Sequence, residues 1–164
     1  MIDRKISVVC SVLLFAASVT LAQEKVQHLQ QPERPIATGV WAGDTLYLSG
    51  QMASPVTPAD PAKGTAAVYG DTETQSMSAL TKIQTLLKEQ GLTMGDVVMM
   101  HVYLSGDPAK GGKLDFAGMM AAYIKFFGTP SQPNKPARSA MQVAALAAPW
   151  GLVEIEVIAV RSSK

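Results

Sequence analysis

Apolar and polar positions along this chain change period several times, and each change marks an element. Ile36 to Ala42 and Leu46 to Gln51 are strand-like runs flanking Gly43-Asp44, which predicts a hairpin. Met52 to Gly64 carries Pro55, Pro58 and Pro61 and reads as a long loop, with Thr65 to Tyr69 as a short edge strand. Asp71 or Thr72 then caps a helix reaching about Gln90, where Gly91 terminates it. Met77, Leu80, Ile83 or Gln84, and Leu87 supply one apolar stripe at the helical period.

Asp96 introduces Val97 to Leu104, a nearly continuous apolar run of the kind found in a strand covered on both faces. A loop over Ser105 to Lys113 leads to a second helix at about Leu114 to Phe127, with Phe116, Met119, Met120, Tyr123 and Phe127 on its apolar side and Gly128 at its end. Pro130, Pro133 and Pro136 stiffen the next connection. Two closing strands follow, at about Ala137 to Leu146 and Leu152 to Arg161, joined by a turn with Pro149 and Gly151. The order predicts an α+β domain, a mixed β-sheet with two helices on one face. No internal repeat is seen.

The final strand has two unlike faces. Val153, Ile155, Val157 and Ala159 suit a helix-covered core, while Leu152, Glu154, Glu156 and Ile158 form a set too apolar for water and too charged for a dry core. Met99, His101 and Tyr103 are mixed in the same way. Such a face predicts a homo-oligomer whose sheets meet, with a pocket at or near the interface. Trp41 and Trp150 flank turns and are expected to pack at subunit contacts.

The first 22 residues change the picture of the whole. Arg4 and Lys5 precede an apolar stretch from Ile6 to Ala17, too short for the roughly 20 residues of a membrane span. Thr20-Leu21-Ala22 supplies the small residues of a signal-peptidase site, so residues 1–22 read as a signal peptide and the protein as secreted, in the periplasm, with no stable membrane anchor after cleavage. Residues 23–34 are polar and patternless and read as a flexible lead-in to a domain at 35–164. Gln23 to Lys164 is 142 residues without cysteine, enough for one core and excluding disulfides and thiolate chemistry. Losing Arg4, Lys5 and Asp3 lowers 14 basic and 13 acidic residues to 12 of each, so net charge gives no support to nucleic-acid binding.

The chemistry concentrates in the last third. Arg138 opens one strand, and Glu154 and Glu156 lie on the next. A guanidinium grips a carboxylate bidentately, and a glutamate facing the same cavity can orient or deprotonate water. A hairpin centred near Ala148 sets Glu154 opposite Gln142, several residues from Arg138, so the pair converges through strand twist, an irregular register or a neighbouring subunit. Glu156 reads as structural, as does His101 on a packed strand face. No acid–histidine pattern has ligand spacing, so no metal site is expected. The methionines read as core filler.

Four stretches carry a resemblance: Leu46-Tyr47-Leu48-Ser49-Gly50-Gln51, Gly91-Leu92-Thr93-Met94-Gly95-Asp96-Val97-Val98, Pro136-Ala137-Arg138-Ser139, and Val153-Glu154-Ile155-Glu156-Val157-Ile158-Ala159. In this order and spacing the chain resembles the RidA (YjgF/YER057c/UK114) family, which includes enamine/imine deaminases, over about Pro35 to Arg161. The resemblance implies a chorismate-mutase-like fold, a homotrimer with its sheets in a central barrel, and clefts between neighbouring subunits. It implies that Arg138 clamps a substrate carboxylate, that Glu154 serves the attacking water, and that the Ser49-Gly50 turn and the backbone around Ala140 line the cleft. Hydrolysis of small 2-enamino or 2-imino acids to 2-oxo acids and ammonia is then the expected reaction, with no cofactor. Ile36, Met120 and Ala140 stand where many members carry tyrosine, asparagine and cysteine, which implies a more apolar pocket. The rival expectation is a non-catalytic carboxylate-binding protein of the same fold.

Overall fold

A computed structural model describes residues 25–162. The proposed signal peptide lies outside the described residues. Strands β1 (Val26–Leu29), β2 (Gly39–Ala42), β3 (Thr45–Met52), β4 (Val97–Leu104), β5 (Ala137–Gln142) and β6 (Val153–Val160) form one sheet, with helices α1 (Thr72–Glu89) and α2 (Phe116–Tyr123). The sheet order is β1-β2-β3-β6-β4-β5, antiparallel throughout except for the parallel pair β4–β5, which α2 connects. The α+β architecture expected from the sequence is therefore present.

Its ends follow local chemistry. Ala42 pairs with Thr45 across the two-residue Gly43-Asp44 turn, where Gly43 takes φ 59°. Asp71 caps α1 by accepting from the Thr74 N–H at 2.9 Å, which lowers the carboxyl pKa, and Gly91 ends the helix at φ 73°. Asp115 caps α2, which closes at Ile124 rather than continuing to Phe127.

On β6 the predicted alternation is complete: Val153, Ile155, Val157 and Ala159 are buried, and Glu154, Glu156, Ile158 and Val160 are half-buried. The buried set joins Leu46, Leu48, Met100, Val102 and Leu104 from the neighbouring strands and Leu80, Ile83, Leu87, Met119 and Ala122 from the helices in one core. Met94, Met100 and Met119 are core, as expected of flexible apolar fillers.

Four expectations are corrected. The 23–34 lead-in contains a strand: Val26–Leu29 pairs with Gly39–Ala42, so its backbone groups are bonded although its side chains are exposed. Thr65 to Tyr69 is not a strand but folds back through single bridges from Thr65 to Asp60 and from Val68 to Thr57. The last two strands are not a hairpin, because β6 runs between β3 and β4. β6 is buried on one face and half-buried on the other and takes a central place, while Ala137–Gln142 is largely exposed and takes the edge. Both tryptophans pack within the chain. Trp41 is buried and donates to Gln90 Oε1 at 3.1 Å under the Arg161 guanidinium, and Trp150 stacks on Tyr69 at 3.5 Å.

A short internal repeat exists after all. Asp60-Pro-Ala-Lys-Gly64 and Asp107-Pro-Ala-Lys-Gly111 build the same 3₁₀ turn, each with its aspartate capping the alanine N–H two residues on and a left-handed glycine at the end.

Gln75 is the polar residue that locks the helix layer to the sheet. It is 1% exposed; its amide donates to the carbonyls of Gly70 and Trp150, and its oxygen accepts from the Leu152 N–H. The predicted stripe began instead at Met77, which is only half-buried. Gln75→Leu strands one donor and two acceptors at the start of β6 and is expected to cost about 2 kcal/mol, read as a lowered urea midpoint at unchanged slope.

Candidate functional site

The seven residues singled out from the sequence fall into two groups on opposite faces of the sheet. Arg138 pairs with core residue Met100, and Ala140 with core residue Val102, so both side chains face the helix layer. Glu154 pairs with Tyr103 and Met52 on the open face. Strand β4 separates them, and with the three-residue offset along it their α-carbons are roughly 14 Å apart. Within one chain Arg138 and Glu154 do not form one receptor.

The helix-side group sits under α2. The Arg138 guanidinium lies 4.4 Å from the Tyr123 ring centroid and 5.8 Å from that of Phe116. Its Nη1 donates to Met120 Sδ at 3.2 Å and to Met119 Sδ at 3.8 Å. Thioethers are weak acceptors, and among the described residues no carboxylate pairs with this arginine. The face of a ring and two sulfurs hold the fork in place without neutralising it, which leaves its donors for an anion. Burial raises the Tyr123 pKa, with Arg138 pulling the other way, so the phenol is neutral beside the cation. Tyr123 in turn stacks on Phe127 at 4.9 Å. Sequence reading placed Phe116, Tyr123 and Met119 only on the helix's apolar side; their spacing from Met120 was the available signal that they also meet the arginine.

The open-face group is built by a bulge. Between Leu48, opposite Val157, and Gln51, opposite Ile155, β3 holds Ser49 and Gly50 against the single residue Glu156. The expected Ser49-Gly50 turn is thus an irregularity inside β3. A β-carbon on Gly50 would collide with Glu154 Oε1, so only glycine lets that carboxylate lie against the strand. The Ser49 hydroxyl donates to the Ala37 carbonyl at 2.7 Å and ties down the segment carrying Ile36, which is 65% exposed. Beside them Glu156 accepts from the Tyr103 hydroxyl at 3.0 Å and meets His101 Nδ1 at 2.9 Å. The bond from Tyr103 to Glu156 raises the tyrosine pKa. His101 and Glu156 are therefore hydrogen-bonded partners, half-buried on the uncovered sheet face rather than on a packed one.

Fold and geometry define a small α+β domain with an unneutralised arginine cleft on the edge strand and a carboxylate–glycine bulge on the uncovered sheet face. A family model described as endoribonuclease L-PSP matches residues 27–161. A RutC family protein of Haemophilus influenzae is 36% identical over 127 residues, 77% of this chain and 87% of that protein. The 2-iminobutanoate/2-iminopropanoate deaminase of Dermatophagoides farinae is 30% identical over 116 residues, 71% of this chain and 78% of that one. The crystal structure of the YjgF gene product from E. coli superimposes with TM-score 0.59 at 33% identity, covering 78% of this chain and 89% of that one. The chain belongs to the RidA (YjgF) family.

Proposed function

We propose that this protein hydrolyses small 2-enamino and 2-imino acids to 2-oxo acids and ammonia, at sites completed by two protomers of a homotrimer. One observation carries the reading: an arginine without an anionic partner and a glutamate held over a glycine bulge lie on opposite faces of one chain, so a site that uses both draws them from two copies. The uncovered sheet face, with Tyr47, Glu154, Glu156 and Ile158, supplies the contact surface. The name of the mite relative supports the reaction class. With residues 1–22 read as a signal, the reaction takes place in the periplasm.

Arg138 binds the substrate carboxylate through its fork and fixes C2 of the protonated imine in the cleft. Glu154 of the neighbouring protomer takes a proton from water as the oxygen adds to C2. The proton passes to the amine nitrogen; as the C–N bond breaks, the C2 hydroxyl gives up its proton through Glu154 to the departing ammonia, and the iminium plus water become the 2-oxo acid plus ammonium. Gly50 leaves space for Glu154, Ser49 ties the Ile36 segment to the strand, Ala140 leaves room beside Arg138, and Ile36 and Met120 make the walls apolar.

The test uses an amino-acid oxidase to generate imines and semicarbazide to trap what remains. Added protein is expected to lower semicarbazone formation; no acceleration across a panel, with saturable 2-oxo acid binding, establishes the non-catalytic binder that apolar Ile36 and Met120 favour. Refolding a mixture of R138A and E154A chains tests the shared site. Random assembly restores about one site in four when the two residues come from different chains. No recovery ends the shared-site proposal.

A further inference from the structure

We propose that Lys135 is a specificity-determining residue of the Arg138 cleft and selects substrates with a second anionic group: dicarboxylic rather than monocarboxylic 2-imino acids. This rests on the reading of Arg138 as the carboxylate clamp and extends it to the far end of the ligand.

The cleft encloses about 430 Å³, within the range of small-molecule sites, and its walls include Met120, Tyr123, Ile124 and Phe127, with Lys135 and Arg138 as its only charged lining residues. No lining residue is acidic, and among the described residues neither cation belongs to an ion pair. Lys135 is exposed, so with a monocarboxylate on Arg138 only solvent answers its charge, whereas a dicarboxylate pairs with both cations.

Lys135 is placed for this by its neighbour. Its stem crosses Gly128, where an added β-carbon would collide with the lysine Cε, and Gly128 itself holds φ 71°. The stem thus packs on bare backbone while the residue stays exposed, its ammonium 3.4 Å from the position such a β-carbon would take. The two cations suit different tasks. Arg138, held by rings and sulfurs, is a rigid fork for the carboxylate next to the reacting carbon. Lys135 is a point charge on a flexible stem, suited to a distal group whose position varies with chain length. The apolar side chains that share the cleft with them suit the methylenes that separate two carboxylates.

Calorimetric titration of 2-oxoglutarate against 2-oxopentanoate, equal in carbon count but lacking the second carboxylate, tests the idea. Wild type is expected to bind 2-oxoglutarate roughly three- to tenfold tighter, the lower value being that of a solvent-screened pair. Lys135→Met collapses that ratio toward one, and Lys135→Arg retains it. Arg138→Ala weakens both acids; if it weakens neither while Lys135→Met still removes the preference, the clamp reading fails and the lysine site stands. Equal affinities in wild type, binding of neither acid, or an unchanged ratio in Lys135→Met overturns the proposal.

Discussion

Arg138→Ala is expected to lower kcat/KM for a 2-imino acid at least about 100-fold while the protein stays folded. A bidentate, charge-assisted pair between guanidinium and carboxylate contributes roughly 3 kcal/mol when its surroundings are partly dry, and each 1.4 kcal/mol is a factor of ten. The structural cost is small by comparison. Among the described residues the guanidinium makes ring-face and thioether contacts and no ion pair, so its loss removes about 1 kcal/mol of cation–π attraction. Arg138→Lys keeps the charge without the fork and should recover only a minor part of the rate. The decisive comparison is imine turnover beside a thermal melt. Wild-type turnover by the alanine variant would remove Arg138 from the mechanism, and a collapsed melt would make it a structural residue.

Phe127→Ala is expected to destabilise the fold by about 3–5 kcal/mol, a large share of the 5–15 kcal/mol of a typical domain. The ring is 2% exposed and belongs to the single core, so its removal leaves a cavity that α2 and the segment after it cannot close. It also stacks on Tyr123, the ring beneath the guanidinium, so the effect reaches the cleft. The measurement is the urea midpoint, with Phe127→Leu losing far less. A midpoint for the alanine variant near that of wild type would mean that the neighbouring side chains refill the space.

Elements with strong local signals were legible in the sequence. Asp71 and Gly91 bracket α1 because a cap and a left-handed glycine act within one turn, and β6 shows its two faces because alternation is a property of the strand alone. Pairing was not legible. The connection after β5 looked like a hairpin because adjacent strands usually pair, but β6 passes over β5 and lies between β3 and β4, an order set by tertiary pairing that no local pattern announces. That one insertion puts Arg138 and Glu154 on separate faces, so the candidate residues were found without their grouping. Gln75 escaped for a different reason. A glutamine on a helix reads as solvent-facing, and only the tertiary position of Gly70, Trp150 and Leu152 turns it inward. Arg138's bed of Tyr123, Met119 and Met120 required knowing that β5 lies under α2.

The paired Asp-Pro-Ala-Lys-Gly turns have a practical consequence. Asp60 and Asp107 sit in different surroundings, one bonded to its own lysine at 2.9 Å and half-exposed, the other 5% exposed, yet the five residues trace one path in both. A fragment that keeps its shape when its neighbours change is specified by its own five residues, so the same pentapeptide moved to another surface loop is expected to fold into the same turn.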